Sequence, residues 1–171
     1  MNWFPIFIRL AASPVLVVGG GPVALRKARQ LLSAGAKVTL VSPEITDGFD
    51  ALIASGEIEH LRREFDPALV QGRRIVIAAT DDAKVNSNVA EAASARGILV
   101  NVVDTPNLCD FITPAIVDRD GMTIAIGSDG LAPILVREVK SLIEAMVPRE
   151  LGRLAGLMGR WRDAVRSLLP S

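Results

Sequence analysis

The sequence has little of several residue types, and each shortage excludes a class of function. Its 171 residues include one cysteine, no tyrosine and only 4% aromatic side chains. The single Cys109 can form neither an internal disulfide nor a thiolate metal cluster, which indicates a reducing compartment, the cytoplasm. Because few aromatic rings are available for base stacking and the formal net charge is zero, nucleic acid is not an expected partner.

Long apolar runs and metal-binding motifs are also missing. No apolar stretch reaches the roughly 18 residues of a membrane-spanning helix, and the N-terminus lacks the basic lead and the cleavage site of a signal peptide. We therefore expect no membrane partner. The sequence has no H-x-x-H or C-x-x-C spacing and no carboxylate triplet, so it predicts no permanently bound metal.

Apolar strands and amphipathic helices alternate from the start of the chain to about residue 112. Half of all residues are hydrophobic, and the continuous apolar runs are typical of strands buried on both faces of a sheet. The alternation predicts an α/β fold with a doubly wound parallel sheet and right-handed crossovers. The predicted strands are 14–18, 37–42, 57–61, 74–80 and 98–104, and the predicted helices are 25–35 and 85–97.

From residue 113 the pattern changes to a β-hairpin followed by two helices. Residues 115–128 have β-branched arms around Asp120-Gly121, a dipeptide typical of hairpin turns. Residues 132–147 predict an amphipathic helix that Pro148 ends. The last segment carries an apolar stripe with alternating three- and four-residue steps, which favours association through that face. The stripe consists of Leu151, Leu154, Met158, Trp161, Val165 and Leu168.

The clearest functional motif is the glycine loop in VLVVGGGPVA (15–24). Gly19, Gly21 and Ala24 fit the pattern G-x-G-x-x-A between a strand and a helix. The first glycine permits a tight turn, the second lets the backbone approach a pyrophosphate, and the small third residue allows close packing of the helix. The helix start then offers free N–H groups to phosphates. The motif predicts a dinucleotide site; the alternative is a glycine turn that binds no ligand.

One part of the dinucleotide motif is missing, namely the acidic residue at the end of the second strand that holds the ribose hydroxyls. This strand ends in Val41-Ser42-Pro43, and the nearest carboxylate, Glu44, lies beyond the proline. Ser42 or the backbone of residues 43–44 is the candidate substitute. The choice between NAD and NADP therefore stays open.

Polar residues follow four of the predicted strands at their carboxyl ends, where ligands of open α/β sheets bind. They are the glycine loop, Ser42, Thr80-Asp81-Asp82 and Asp104. Asp104 lies between an apolar strand and a Thr105-Pro106 turn, and we expect a half-buried carboxylate there that acts as a general base. The alternatives are that Asp104 only caps this turn and that Asp81-Asp82 only caps the helix that follows.

Beyond these motifs, the chain resembles the siroheme synthase N-terminal module, the family of precorrin-2 dehydrogenases and sirohydrochlorin ferrochelatases. The resemblance covers essentially the whole chain, and its most specific part is NVVD-x-P…F-x-x-P-A-I-V-D-R. The matching blocks are FPIF (4–7), residues 15–44, VIAATDD (76–82) with Asn86, residues 100–119, SDGLAPILVRE (128–138) and ELGRLAGLMGRWR (150–162).

The resemblance implies three domains: a Rossmann domain over 1–112, a dimerisation segment over 113–147 and the start of a helical domain over 148–171. We expect a homodimer, because an apolar stripe left to water favours association. It implies NAD-dependent oxidation of precorrin-2, a tetrapyrrole, to sirohydrochlorin in siroheme or cobalamin synthesis. In bifunctional members ferrous iron, a second substrate, is then inserted. The apolar stripe near the end of the chain predicts that another subunit covers it, that the helical domain is truncated, or that the protein continues into a further module.

Site residues are carried over by position. Asp104 would take a proton in the dehydrogenase step, and in a chelatase step it would take pyrrole protons or guide the metal transiently. Ser128 would contact substrate or carry a phosphoryl group, although its neighbours Gly127 and Asp129 depart from the family pattern. The resemblance and the strand-end positions together assign cofactor contacts to Gly19, Gly20, Gly21, Pro22, Val23, Ser42, Pro43, Glu44, Thr80 and Asp81.

Two other functions would use the same glycine loop differently. The first is an NAD-binding, redox-sensing regulatory module without catalysis, which would need neither the NVVD block nor segment 113–147. The second is a structural assembly domain whose loop binds nothing. NAD titration separates the structural domain from the other two, and turnover separates the enzyme from the sensor.

Overall fold

The structure is a computed structural model that describes residues 2–168, with side chains described through Arg162. Val165 and Leu168 of the apolar stripe therefore have side chains outside the described residues. One compact unit spans Trp3–Ile112, and a second contains Asn2 and begins at Thr113. Within the described part of the chain, no helix is both long and apolar enough to cross a membrane.

A parallel sheet of five strands forms the centre of the first unit. Its strands are β1 (Pro14–Val18), β2 (Lys37–Val41), β3 (Ile58–Leu61), β4 (Ile75–Ala78) and β5 (Leu99–Val102), in the spatial order β3-β2-β1-β4-β5. The chain moves outward from β1 in one direction and then returns to place β4 on the other side of β1. This order confirms the predicted α/β fold and puts the topological switch point between β1 and β4.

Both faces of the sheet are buried, which explains the continuous apolar runs in the sequence. The helices of this unit are α1 (Pro22–Ser33), α2 (Asp50–Ala54) and α3 (Ala83–Ser94). Val15 and Val17 of β1 belong to the core cluster that includes the buried residues of α1. Leu16 and Val18 belong to the opposite cluster, which includes the buried residues of α3.

The helices begin where their caps dictate, slightly before the predicted starts. Helix α1 begins at Pro22 because Gly21 serves as its N-cap and a proline at the first helical position loses no hydrogen bond. Helix α3 begins at Ala83 because the Asp82 carboxylate accepts bonds from the N–H groups of Lys84 (2.7 Å) and Val85 (3.2 Å). The short helix α2 was not predicted from the sequence.

Strands β4 and β5 end two residues before the predicted positions. As a result, Thr80 and Asp104 lie in the connecting loops rather than in the sheet. The backbone there is free to turn, and the side chains that follow these strands reach the edge where the ligands of such folds bind.

The second unit consists of a hairpin and two helices. Strands β6 (Ala115–Asp118) and β7 (Thr123–Ile126) pair antiparallel around Asp120 and Gly121, whose positive φ angles of 48° and 117° confirm the predicted turn. Helices α4 (Pro133–Met146) and α5 (Leu151–Leu168) follow. The Arg119 guanidinium donates to the carbonyls of Glu144 and Val147, both at 2.9 Å, and so ties the hairpin to the end of α4.

Candidate functional site

The glycine loop connects β1 to α1 at the switch point of the sheet. Gly19 has a φ of +118°, a conformation that residues with a side chain rarely adopt, and its N–H donates to the Val41 carbonyl at 2.9 Å. The Gly20 carbonyl accepts a bond from the Thr46 N–H at 2.8 Å. The loop is therefore held by backbone bonds to β2 and to the segment after it.

Gly20 and Gly21 lack a side chain for different reasons. A Cβ on Gly20 would overlap the Glu44 carbonyl oxygen and the Ser42 hydroxyl, so the packing of the chain itself requires glycine there. A Cβ on Gly21 would meet no atom within 4 Å, and its φ of −82° suits any residue. Glycine suits the N-cap position, and the open space beside Gly21 also lets a ligand approach the backbone.

The start of α1 is suited to an anion. Its first turn contains no acidic residue, and no side chain caps it by a hydrogen bond. The N–H groups of the first turn have no partner within the helix and carry the positive end of its dipole. This end and the open side of Gly21 fit the pyrophosphate of a dinucleotide.

A cleft of about 570 Å³ opens in front of the glycine loop. This cofactor cleft brings together every predicted cofactor contact except Glu44, which is exposed and does not line it. Its volume lies within the range of roughly 300–1,000 Å³ of small-molecule sites. Its lining comprises Gly19, Gly20, Gly21, Pro22, Val23, Ser42, Pro43, Glu64, Phe65, Thr80, Asp81, Asp82 and several apolar neighbours.

Ser42 lines this cleft, but its hydroxyl is directed to the backbone of the wall. Only 8% of Ser42 is exposed, and its hydroxyl donates to the Glu44 carbonyl at 2.5 Å, which folds the turn after β2. Two side chains at the end of β3, one within the strand and one directly after it, contact the same turn. The His60 Nε2 lies 3.0 Å from the Ser42 carbonyl, and the Arg62 Nε donates to the Pro43 carbonyl at 3.3 Å.

The loop after β4 forms the opposite wall and is fixed by Asn86, a residue whose role the sequence did not reveal. Its Oδ1 accepts from the Thr80 N–H (3.3 Å), and its Nδ2 donates to the Thr80 carbonyl (2.9 Å). Asn86 is only 8% exposed. A polar residue among the apolar positions of the buried face of α3 is the sequence signal that could have pointed to its role. Asp82 caps α3 as one alternative predicted, and both Asp81 and Asp82 also line the cofactor cleft.

Asp104 lines a second cleft of about 290 Å³, which shares Val23, Thr80 and Asp81 with the cofactor cleft. Asp104 is exposed, so the expected half-buried position is wrong: β5 ends at Val102, and the chain has already left the sheet. Its φ of +58° lies in the left-handed region, which aspartate tolerates better than most residues. The backbone bond from the Thr105 N–H to the Val102 carbonyl (3.2 Å) closes the turn.

Cys109 and Lys27 lie close to this turn. The Cys109 Sγ accepts from the Val102 N–H at 3.2 Å and lies 3.1 Å from the Val102 carbonyl, and burial raises the pKa of the thiol. Burial also lowers the pKa of the Lys27 ammonium, and the charge of Arg26 adds to this effect. Negative charge on Asp104 and Cys109 acts in the opposite direction on Lys27.

Ser128 belongs to the second unit, whereas the other predicted site residues belong to the first. Its hydroxyl oxygen accepts from the Ala132 N–H at 3.2 Å, immediately before α4. A role for Ser128 in substrate contact or modification stays a prediction. Among the residues that the structure describes, no group of three His, Cys, Asp or Glu side chains is arranged to hold a metal ion.

The sheet order, the glycine loop and the cofactor cleft together define the first unit as a Rossmann-type dinucleotide-binding domain. A family model described as "Putative NAD(P)-binding" matches residues 6–115, and the chain belongs to this NAD(P)-binding family.

Similar proteins of known name agree with this assignment. The siroheme synthases of Chromobacterium violaceum and Methylobacillus flagellatus are 48% and 49% identical to the chain over 170 and 166 residues. These alignments cover 99% and 97% of this chain but 36% of each relative, so the chain spans about a third of the length of the curated relatives it matches. They confirm the resemblance to the siroheme synthase module.

A solved structure, "SirC, precorrin-2 dehydrogenase", superposes on the chain with a TM-score of 0.79 at 24% sequence identity. The superposition covers 99% of this chain and 83% of that one. It confirms the fold, including the hairpin and the helices that follow the parallel sheet.

Proposed function

We propose that this chain catalyses the NAD-dependent oxidation of precorrin-2 to sirohydrochlorin. The observation that carries the proposal is the position of Asp104 in a cleft that shares Val23, Thr80 and Asp81 with the cofactor cleft. A carboxylate therefore lies beside the place where a bound dinucleotide would end. The siroheme synthases and the precorrin-2 dehydrogenase that resemble the chain support this substrate.

The reaction removes a hydride and a proton from the tetrapyrrole. When bound, NAD supplies the hydride acceptor. The glycine loop and the first turn of α1 hold its pyrophosphate through backbone N–H groups. Asp104 accepts the proton, and because its carboxylate is exposed, it can pass this proton on to water.

The test is the substitution Asp104→Asn, which removes the base but keeps a residue type that tolerates a positive φ. We expect turnover of precorrin-2, followed by absorbance, to fall by about 10²-fold or more. The dissociation constant for NAD should stay unchanged, since Asp104 does not line the cofactor cleft. Asp120→Asn is the matched control, because Asp120 also has a positive φ, 48°, but lies in the hairpin turn. Full activity of Asp104→Asn would overturn the assignment of the base.

The same assay separates the competing functions. A chain that binds NAD without turnover is a sensor, and a chain that binds no dinucleotide is a structural domain. Continuing the assay with ferrous iron tests the second activity, in which iron is a substrate and siroheme the product. We also propose a cytoplasmic location, because the single Cys109 can form no internal disulfide, as is usual in a reducing compartment.

We also propose that the second unit assembles two copies of the chain. Helices α4 and α5 expose several large apolar side chains, among them Leu135, Leu142, Met146, Met158 and Trp161. A patch of this kind favours association over exposure to water. Light scattering over micromolar concentrations should report a dimer, and a monomer throughout that range would overturn this part of the proposal.

A further inference from the structure

We infer that Glu64 replaces the acidic residue missing from the end of β2, binds the hydroxyls of the adenosine ribose and thereby selects NAD over NADP. The inference rests on the proposed role of the cofactor cleft as the dinucleotide site. In Rossmann domains an acidic side chain near the end of β2 accepts hydrogen bonds from this ribose, and a basic side chain there accommodates the 2′-phosphate of NADP.

The candidates that the sequence offered for this contact were Ser42 and the backbone of residues 43–44, and both the Ser42 hydroxyl and the Pro43 carbonyl already have hydrogen-bond partners within the chain. The Ser42 hydroxyl is buried and donates to the Glu44 carbonyl. Glu44 does not line the cofactor cleft, and its carbonyl packs against Gly20. Among the described residues, Glu64 is the carboxylate that lines the cleft wall at the ends of β2 and β3.

Glu64 reaches this wall because β3 lies beside β2 in parallel. Val41, the last residue of β2, pairs with Leu61, the last residue of β3, so both strands end at the same edge. The chain after β3 carries Glu64 and Phe65 into the lining of the cofactor cleft, alongside Ser42 and Pro43. This contact depends on strand order, since 22 positions separate residues 42 and 64 in the chain.

The segment that carries Glu64 is anchored on both sides. Before it, the Leu61 carbonyl accepts bonds from the Ser42 N–H (3.3 Å) and the Arg63 N–H (2.8 Å). After it, the Asp66 carboxylate accepts from the Ala68 N–H at 2.8 Å and caps a short 3₁₀ helix, Pro67–Val70. These bonds fix the backbone from which the exposed Glu64 side chain extends.

The charges around the cleft favour two hydroxyls over a phosphate. Among residues 2–168, no lysine or arginine lines the cofactor cleft. The Arg62 Nε donates to the Pro43 carbonyl at 3.3 Å, but Arg62 itself does not line the cleft. A 2′-phosphate would therefore lie beside the Glu64 carboxylate and be repelled, whereas ribose hydroxyls donate to that carboxylate.

The experiment measures the affinity of the whole chain for NAD, NADP and the 2′-deoxyadenosine analogue of NAD by titration calorimetry. The wild-type chain should bind NAD at least about tenfold more tightly than either of the other two, the size expected for a hydrogen bond to a charged group. In Glu64→Gln the difference between NAD and its deoxy analogue should shrink to about twofold, and the preference over NADP should fall with it. The melting temperature should not move, because Glu64 is exposed.

Two further variants make the result specific. Glu57→Gln, an exposed glutamate at the other end of β3, should leave all three affinities unchanged. Arg62→Gln should keep the preference for NAD. Two results would overturn this inference but leave the proposed function intact. In the first, Glu64→Gln keeps the wild-type preference for NAD. In the second, the wild-type chain favours NADP and Arg62→Gln loses NADP binding. A wild-type chain that binds neither dinucleotide would overturn the proposed function and this inference with it.

Discussion

The first and second units of this chain bury their apolar side chains to very different extents. In the first unit, Leu16 at the centre of the sheet is 0% exposed, and the clusters on both faces of the sheet are closed. In the second, α4 has no buried residue, and Leu142 is 63% exposed. Among its described residues, only Val117 and Gly152 are buried.

The two units therefore differ in structural role. The sheet and its helices form a complete core, so the unit that carries both clefts has the rigid scaffold that precise positioning of ligands requires. The hairpin and the last two helices lack such a core. Under the proposed self-association, the apparent free energy of unfolding of the second unit would rise with protein concentration.

The largest expected effect separates the two cores directly. Leu16→Ala should lower the free energy of unfolding by about 2–5 kcal/mol, because it leaves a cavity in the closed sheet. Leu142→Ala should change it by no more than about 0.5 kcal/mol at low protein concentration, but should weaken self-association. Urea unfolding and light scattering measure the two effects. Equal losses of stability in Leu16→Ala and Leu142→Ala at low protein concentration would contradict the difference in packing between the two units.

A smaller effect separates packing from binding within the first unit. Gly20→Ala should cost about 1–3 kcal/mol of stability, because its Cβ overlaps backbone and side-chain atoms of residues 42–44. Gly21→Ala should lower the free energy of unfolding by no more than about 1 kcal/mol, because alanine is a poorer N-cap than glycine, and should weaken NAD binding. Thermal unfolding and NAD titration distinguish the two variants, and tight NAD binding by Gly21→Ala would contradict a ligand role for position 21.

Arg119→Ala should affect only the second unit. It removes two hydrogen bonds from a cation to carbonyls at the end of α4, at a cost of about 1–2 kcal/mol. Hydrogen exchange of the last turn of α4 should become faster, while exchange in β1 and β4 stays unchanged. Arg137→Ala, at an exposed position within α4, is the control. Faster exchange throughout the first unit would show that the two units do not open separately.

The smallest effect uses Cys109, the single cysteine of the chain, as a reporter of the first unit. Burial raises the pKa of its thiol, so at pH 8 the folded chain should react with iodoacetamide more slowly than the unfolded chain. The folded state holds the proton more tightly, so the stability that Cys109 contributes is present below the ordinary thiol pKa. This contribution is lost as the pH rises through the raised value. Equal rates of reaction with iodoacetamide in the folded and unfolded chains would contradict the raised pKa of the Cys109 thiol.

The architecture of the sheet and the class of ligand were predictable from the order of residues alone. Continuous apolar runs with intervening helices are buried on both faces of a parallel sheet, and the structure has this arrangement. The glycine loop and the Asp120-Gly121 turn were also predictable, because both depend on the local backbone conformation of a few neighbouring residues. Ends of elements were less accurate, since capping bonds such as those of Asp82 decide them.

The positions of the individual site residues depend instead on contacts between segments that are distant in the chain. Gly20 is required by atoms of residues 42–44, Asp104 is exposed because β5 ends early, and Glu64 reaches the cofactor cleft because β3 pairs with β2. Each of these facts depends on contacts or strand ends that the pattern of neighbouring residues does not encode. A sequence motif specifies the chemistry that is available, and the register and order of the strands determine which side chains meet around it.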